Sequence, residues 1–192
     1  MGRPKMLLPW GKTTVLGHLI QQWRASDARQ VTVISADGDA AIFAELDRLG
    51  FPLEQRIFNP DPDRGMFSSI QCAARWTAWH AELTSWILVL GDQPHLRDET
   101  LRKLLVFAGE NSEVVCQPVY KIHRRHPVVI PKNIFRELGH SSAKDLKEFL
   151  ASYASAAFET DDPGLELDID EPADYEKARS CFDRNNCATK SP

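Results

Sequence analysis

One short apolar run, Trp86–Leu90, constrains the fold of this chain more than any other stretch. Five consecutive apolar residues are too few for a buried helix and too continuous for a strand with one solvated face. The run therefore predicts a central strand of a parallel sheet, buried on both faces. Gly91 ends this strand and Asp92 follows it. We expect Asp92 at the carboxyl end of a strand, where open α/β sheets place their ligands.

Strand-like and helix-like segments alternate along the chain, which predicts a three-layer α/β/α domain with a Rossmann-like, mainly parallel sheet. A hairpin-like return at Val128 predicts one antiparallel strand within it. We expect a single domain over residues 1–180 and a polar, frayed tail over 181–192. The predicted strands are Gln30–Ser35, Leu53–Phe58, Glu113–Val119, His126–Ile130, Ala156–Thr160 and Leu165–Ile169. The predicted helices are one after Thr13 or Thr14, then Asp39–Leu49, Met66–Leu83, Glu99–Ala108, Pro131–Leu138, Ser142–Tyr153 and Glu171–Ser180.

Composition narrows the class of protein. With 192 residues, of which 43% are apolar and 26% charged, the chain has the length and apolar content of one ordinary domain with a full core. A formal charge of −4 with scattered Lys and Arg argues against a nucleic-acid partner. No apolar run is long enough for a membrane span, and no stretch resembles a signal peptide. Four cysteines without CxxC spacing favour a reduced, cytoplasmic setting.

Two charged residues on loops allow either a structural or a chemical interpretation. Asp92 can cap a helix or form an Asx-turn, or it can give a hard oxygen ligand to Mg²⁺ at a nucleotide phosphate. Lys5 lies in a loop broken by Gly2 and Pro4. It is either a solvated charge or a point-charge clamp on a triphosphate. The residues alone leave both choices open.

Two further segments leave similar choices. Ser68 and Ser69 follow a turn-rich loop and begin a predicted helix, where they act either as an ordinary N-cap or as part of a site for a phosphate or base edge. His126, preceded by Arg125, is either structural or catalytic.

Asp168 and Asp170 alternate with Leu167 and Ile169, so they share one face of the predicted strand. Two adjacent carboxylates repel unless water or a cation separates them. A solvated edge strand explains the pair, and a metal explains it better once Asp92 is added.

Five motifs occur in order along the chain. They are Gly2-Arg3-Pro4-Lys5-x-Leu7-Leu8-Pro9, Asn59-Pro60…Gly65-Met66-x-Ser68-Ser69, Leu90-Gly91-Asp92-Gln93-Pro94, His126-Pro127-Val128 and Leu167-Asp168-Ile169-Asp170-x-Pro172-x-Asp174. Together they resemble the MobA-like nucleotidyltransferases, and within that family the molybdenum cofactor cytidylyltransferases. The resemblance covers residues 1–178 and implies a fold of the nucleotide-diphospho-sugar transferase type.

The resemblance also implies a role for each candidate site residue. Lys5 and Asp92 would be catalytic, with Mg²⁺ held by Asp92 together with Asp168 or Asp170. Arg125 and His126 would lie on the acceptor side. The nucleotide-binding residues would be Lys5, Asn59, Gly65, Met66, Ser68 and Ser69.

The implied reaction moves CMP from CTP to the terminal phosphate of the molybdopterin cofactor and releases pyrophosphate. A molybdoenzyme apoprotein is a further implied partner. One alternative is a nucleotidyltransferase for another phosphorylated acceptor, such as a sugar or alcohol phosphate. A second alternative is a catalytically dead relative that binds or hands over a cofactor.

The chain departs from the family pattern at two places. Arg125 stands where the family usually has Gly before the His-Pro pair, which would narrow the acceptor site or add a contact to a phosphate. The family's first strand and glycine-rich loop precede the residue that aligns with Met1. We therefore expect neighbouring strands to be left unpaired and the biological start to lie some 15–25 residues upstream, roughly one strand plus a loop.

Overall fold

The computed structural model of the chain describes residues 4–188. Residues 1–3, of which Gly2 and Arg3 open the first motif, and residues 189–192 of the predicted tail lie outside this range. The strands are β1 Pro9–Trp10, β2 Thr13–Thr14, β3 Val33–Ala36, β4 Arg56–Asn59, β5 Ser85–Leu88, β6 Val115–Tyr120, β7 His123–Arg124, β8 Val128–Pro131 and β9 Ser155–Glu159. The α-helices are α1 Val15–Ala25, α2 Ala40–Arg48, α3 Met66–Arg75, α4 Asp98–Glu110, α5 Lys132–Leu138, α6 Leu146–Leu150 and α7 Pro172–Ala188. Short 3₁₀ helices cover Lys5–Leu7, Leu53–Gln55, Pro62–Arg64 and Pro163–Glu166.

The largest sheet has the strand order β5-β8-β6-β7, with β9 paired to β6. β8 is antiparallel to both β5 and β6, whereas β9 is parallel to β6. β5, β6 and β9 therefore share one direction and β8 opposes them, apart from the two-residue hairpin strand β7. β3 and β4 form a separate parallel pair, and β1 and β2 a small antiparallel one. The predicted α/β fold with a mainly parallel sheet and an antiparallel strand at Val128 is confirmed.

The strand that precedes Asp92 differs from its prediction. It ends at Leu88, pairs only with the antiparallel strand β8, and leaves Ile87 to Leu90 half-buried rather than buried on both faces. Within residues 4–188, no strand pairs with its second edge, and none pairs with the second edge of β3. The open edge of β5 explains the partial exposure, because no strand in the described range covers it. Where the biological chain starts stays a prediction.

Two predicted elements are shorter because side chains end them. The helix predicted over Met66–Leu83 stops at Arg75, where the Trp79 indole donates a hydrogen bond of 2.8 Å to the Ala73 carbonyl and caps the last turn. In the predicted helix Ser142–Tyr153, only α6 is helical, and the Asp145 carboxylate caps it by accepting from the Glu148 backbone N–H.

The strand predicted over Leu165–Ile169 is wrong. Pro163–Glu166 form a 3₁₀ turn, and the residues after it are irregular within the described range. The Asp162 side chain caps this turn by accepting from the Gly164 backbone N–H at 2.9 Å. Asp168 and Asp170 therefore do not share the face of a strand.

An aromatic cluster holds the largest sheet to its helices. The rings of Trp86 on β5 and Phe135 on α5 stack with centroids 4.4 Å apart, and Trp79 packs edge-on against both. Phe135 is 2% exposed. This side chain connects the strand before Asp92 to the helical layer.

The closing helix α7 is longer than predicted. Tyr175 and Phe182 on α7 pack against the buried Trp10 near the start of the chain, and the Tyr175 hydroxyl donates to the Pro9 carbonyl. The frayed tail predicted from Cys181 thus begins inside a helix that continues to Ala188. No helix in the part of the chain that the structure describes is long and apolar enough to cross a membrane.

Candidate active site

Lys5 joins three distant parts of the chain. Its ammonium Nζ lies 2.6 Å from Asp92 Oδ2 and 3.0 Å from Asp170 Oδ1. Of the residues predicted as catalytic or metal-binding, these three are in direct contact. The ammonium thus lies between two carboxylates that would otherwise repel.

Packing of the neighbouring residue places Lys5 there. A Cβ built on Gly91 would lie only 2.5 Å from the Met6 sulfur, so the end of the Met6 side chain packs directly against the segment after β5. The Val15 backbone N–H donates to the Leu8 carbonyl at 3.0 Å and ties the same segment to α1. The loop that the sequence left unassigned is therefore an ordered part of the site.

The electrostatics of this cluster suit a cation. Partial burial lowers the pKa of Lys5, but its hydrogen bonds to Asp92 and Asp170 and their charges outweigh that effect, so the pKa is raised above its usual value. The second carboxylate oxygen of Asp92, Oδ1, is buried and has no hydrogen-bond partner in the described part of the chain. A buried acceptor of this kind is costly unless a donor or a cation satisfies it. The donor set at Asp92 therefore fits a hard divalent cation such as Mg²⁺.

Asp168 contacts a different group. Its Oδ1 accepts a hydrogen bond of 2.8 Å from Gln93 Nε2, and the Ile169 backbone N–H donates to the Asp92 carbonyl at 3.2 Å. Both connections keep the Asp168–Asp170 segment against the loop that carries Asp92. No three His, Cys, Asp or Glu side chains within the described range form a metal-binding group. Mg²⁺ commonly takes only one or two protein carboxylates and completes its shell with phosphates and water.

The predicted nucleotide loop is held by its own hydrogen bonds. Asn59, the last residue of β4, is 1% exposed. Its Nδ2 donates to the hydroxyls of Ser68 and Ser69 at 2.8 and 2.9 Å, and its Oδ1 accepts from the Asp61 backbone N–H. Asn59 and Ser68 are therefore buried and satisfied, and they shape the loop. Ser69 is half-buried.

The accessible part of this loop is its tip. Gly65 precedes α3 with a φ of +80°, a conformation that other residues rarely adopt. Gly65 and Met66 are exposed at the start of the helix. Within the described range, no direct contact joins this tip to Lys5 or Asp92.

Arg125 and His126 precede β8 and contact different partners. Arg125 Nη2 is 3.0 Å from Glu166 Oε1, and Lys121 Nζ is 2.8 Å from the other oxygen of the same carboxylate. His126 Nδ1 lies 3.4 Å from the Leu88 carbonyl at the end of β5. Burial lowers the pKa of His126, although the Leu88 carbonyl and the charges of Asp168 and Asp92 oppose this shift. His126 is thus a neutral imidazole near the two carboxylates at pH 7.

Burial lowers the pKa of three histidines, His18, His95 and His126. Below about pH 6.5 the unfolded chain protonates these side chains more readily than the folded one, so protons favour unfolding. We expect the free energy of unfolding to fall as the pH is lowered from 7 to 5, by at most roughly 1.4 kcal/mol per pH unit for each proton involved. Urea denaturation at several pH values measures this slope. His18→Gln should make the slope shallower, and a flat or rising stability between pH 7 and 5 would contradict the expectation.

Sequence reasoning gave no role to three buried side chains that connect the site. These are Gln93, His95 and Asp162, which are 4%, 1% and 2% exposed. Two features of the sequence point to them: the polar residues directly after Asp92 and the Asp-Asp-Pro-Gly turn. Polar side chains that are buried beside a strand or a turn need hydrogen-bond partners.

With this geometry in view, comparison with known proteins identifies relatives. The chain is 22% identical over 183 residues to the molybdenum cofactor cytidylyltransferase of Escherichia coli K12, covering 95% of this chain and 90% of that protein. The crystal structure of Rv0371c from Mycobacterium tuberculosis H37Rv in complex with manganese superposes with a TM-score of 0.67 at 25% identity, covering 93% of each chain. A 4-diphosphocytidyl-2C-methyl-D-erythritol synthase shares the fold, with a TM-score of 0.70 at 15% identity over 93% of this chain and 95% of that one.

A comparison with protein-family models covers most of the chain. The model of the MobA-like NTP transferase domain matches residues 1–157, which include the Lys5 turn, the Asn59 loop, Asp92 and His126. These segments carry the candidate site except for Asp168 and Asp170, which follow the matched range. The chain is therefore a nucleotidyltransferase that belongs to the MobA-like NTP transferase family.

Proposed function

We propose that this nucleotidyltransferase moves CMP from CTP to the phosphate of molybdopterin, using Lys5 and Asp92 as catalytic residues. The contact of Lys5 with Asp92 and Asp170 is the observation that carries the proposal. Similarity to the E. coli cytidylyltransferase over nearly the whole chain supports the donor and the acceptor.

The proposed reaction is an in-line displacement at phosphorus. An oxygen of the acceptor phosphate forms a bond to the α-phosphorus of CTP, the bond from that phosphorus to the bridging oxygen breaks, and pyrophosphate leaves. The protein forms no covalent bond in such a step. It contributes by placing the two substrates and by balancing the negative charge that develops between them.

The chain's charged groups divide this task. Lys5 supplies a positive charge for the triphosphate, and its raised pKa keeps it protonated at neutral pH. Asp92, together with Asp170 or Asp168, would hold Mg²⁺, which supplies further charge neutralisation at the phosphates. Asp92 Oδ1, which is buried and has no hydrogen-bond partner among the described residues, and the manganese complex of the related Rv0371c support a divalent cation here.

Binding of the nucleotide and the acceptor uses the flanking segments. Gly65, Met66 and Ser69 border the nucleotide, with Asn59 and Ser68 fixing the loop behind them. On the acceptor side, Arg125 would contact a phosphate, and the neutral His126 would orient it. Arg125 is already paired with Glu166, so a phosphate would share or replace that partner.

Another phosphorylated acceptor, such as a sugar or alcohol phosphate, is the second candidate. The Arg125–Glu166–Lys121 contact favours it, because a bulky cation beside His126 departs from the family pattern. A dead cofactor-binding relative is the third, and it is favoured by the edges of β3 and β5 with which no strand pairs between residues 4 and 188. A molybdoenzyme apoprotein as partner and a cytoplasmic setting belong to the first candidate.

Thermal unfolding with nucleotides distinguishes these candidates. In the presence of Mg²⁺, CTP at about 100 times its dissociation constant should stabilise the chain by about 2.7 kcal/mol, because it binds the folded state alone. For a chain of this size, that corresponds to a rise in Tm of roughly 5–10 °C. GTP should raise the Tm less at the same concentration.

Lys5→Ala is the matched variant for this measurement, because it removes the ammonium and leaves the loop at Asn59 intact. It should make the Tm shift produced by CTP smaller. The order of the four nucleotides by Tm shift should stay the same. Equal shifts for CTP, GTP, ATP and UTP would contradict cytidylyl specificity. No shift for any nucleotide would support the dead-relative candidate.

A further inference from the structure

Two segments carry the candidate carboxylates and run alongside each other. Hydrogen bonds connect the two segments at both ends. The first segment spans residues 92–100 and the second spans residues 162–170. At one end lie Asp92 and Asp168, connected through Gln93 and the Ile169 backbone N–H. At the other end lies Asp162. The metal ligands proposed above belong to the first end, and Asp162 belongs to the second.

Asp162 is a buried carboxylate, 2% exposed, whose oxygens accept three hydrogen bonds. Oδ2 accepts from the Arg97 backbone N–H at 3.0 Å and from the Thr100 hydroxyl at 2.8 Å. Oδ1 accepts from the Gly164 backbone N–H at 2.9 Å. One side chain thus joins the start of α4 to the turn that leads to Asp168 and Asp170.

Between these two ends, the segments are in close contact at His95 and Gly164. His95, 1% exposed, places Nε2 3.1 Å from the Gly164 carbonyl. A Cβ built on Gly164 would lie 3.0 Å from the His95 ring and 3.0 Å from Asp162 Oδ1. The Gly164 backbone is thus packed directly against the His95 ring and the Asp162 carboxylate, shortly before Asp168 in the chain.

We infer that Asp162 is a positioning residue that sets where Asp168 and Asp170 lie relative to Asp92. This inference rests on the proposed function in so far as those carboxylates hold the metal. Asp162 itself touches neither the cation nor a substrate. It acts through the Pro163–Glu166 turn, whose other end begins the Asp168–Asp170 segment.

The charge of Asp162 is needed for this role. All of its hydrogen-bond partners are donors, and Asn at this position would present an NH₂ group to at least one of them. The buried donors left without an acceptor would move the turn or the start of α4. Groups that are hydrogen-bonded to metal ligands typically change metal affinity by 10–100-fold when they are altered, and Asp162 lies one step further from the ligands, so we expect an effect at the lower end of that range.

The test compares Asp162→Asn with Glu45→Gln in the full chain. Glu45 is a matched control, because it is also buried and accepts from Thr14 and Arg48, but it lies on α2 outside the candidate site. The probe is Mn²⁺, with free ion measured by electron paramagnetic resonance in the presence of CTP. We expect Asp162→Asn to weaken Mn²⁺ binding at least tenfold and Glu45→Gln to change it less than twofold. A folded Asp162→Asn variant with wild-type Mn²⁺ affinity would overturn the inference.

A second readout does not depend on metal. The side-chain amide of Gln93 is buried against Asp168, so its NMR signals report the position of that carboxylate. Asp162→Asn should shift these signals and speed their exchange with solvent, whereas Glu45→Gln should not. If the wild-type chain does not bind Mn²⁺, the metal assignment fails, and the Gln93 signals alone decide the positioning role. Unchanged Gln93 signals in Asp162→Asn would refute it.

Thr100→Val covers the case in which Asp162→Asn does not fold. It removes one donor to Asp162 and keeps the shape of a side chain that is 3% exposed. We expect a smaller change in the same direction, about threefold in Mn²⁺ affinity, on the scale of one weakened hydrogen bond. Wild-type Mn²⁺ affinity together with wild-type Gln93 signals in Thr100→Val would count against the inference.

Discussion

Asp92→Asn should lower the rate of nucleotidyl transfer by at least about 10²–10³-fold, or roughly 2.7–4 kcal/mol in activation free energy, the scale seen when one preorganised electrostatic group is removed. The amide keeps the size of the side chain, but it removes two properties of the carboxylate: the negative charge, which faces Lys5 Nζ at 2.6 Å, and one of the two acceptor oxygens, which an NH₂ group replaces. Both properties are needed for a divalent cation. Initial rates with CTP and Mg²⁺ measure the effect.

The same variant should remain folded. Asp92 and Lys5 are both partly accessible to solvent, at 19% and 36%, so water screens their interaction and its loss costs the fold little, about 1 kcal/mol or less. Asp47→Asn is the matched control, because Asp47 also forms an ion pair, with Arg56, away from the candidate site. It should keep the full rate. An Asp92→Asn variant with more than a tenth of the wild-type rate would contradict the role of Asp92.

Phe135→Ala should reduce the free energy of unfolding by about 3–5 kcal/mol, the range for deleting a buried aromatic side chain. Its ring is 2% exposed and stacks on Trp86, so truncation removes apolar burial and leaves a cavity beside β5. Against a typical domain stability of about 5–15 kcal/mol, this is a large fraction. The shift of the urea midpoint, with the slope fitted separately, measures the loss.

Phe58→Ala is the control for side-chain identity. Phe58 is 39% exposed and packs against Phe43 on one side only, so we expect a loss of about 1 kcal/mol. Losses of equal size for the two Phe variants would show that the Trp86–Phe135 stack does not have the stabilising role assigned to it.

Local patterns in the sequence were sufficient for much of the fold. Thr14 caps α1 by accepting from the Gly17 backbone N–H, and Leu16, Leu19, Ile20 and Trp23 form its buried face, as their helical spacing predicts. Asp39 caps α2 in the same way. These features depend on residues three or four positions apart, so the order of residues contains them directly.

Sequence patterns predicted the wrong secondary structure where contacts with distant residues determine the backbone. Leu165–Ile169 alternate as a strand does, but Asp162 and His95 bind the turn at Gly164. The backbone there bonds to the loop after β5, because the Ile169 N–H donates to the Asp92 carbonyl. A strand needs a neighbouring strand for its hydrogen bonds, and alternation cannot report whether one is present.

The candidate site shows the same difference between local patterns and long-range contacts. The sequence by itself determined that Asp92 follows a strand and that Lys5 lies in a loop, since both depend on nearby Gly and Pro residues. Only the tertiary structure decided that the Lys5 ammonium lies between Asp92 and Asp170, residues 87 and 165 positions away. It likewise decided that Ser68 and Ser69 accept both hydrogen bonds from the Asn59 NH₂ group. Contacts over such separations follow from how the elements pack together, and a linear pattern contains no information on which of several carboxylates a given ammonium will meet.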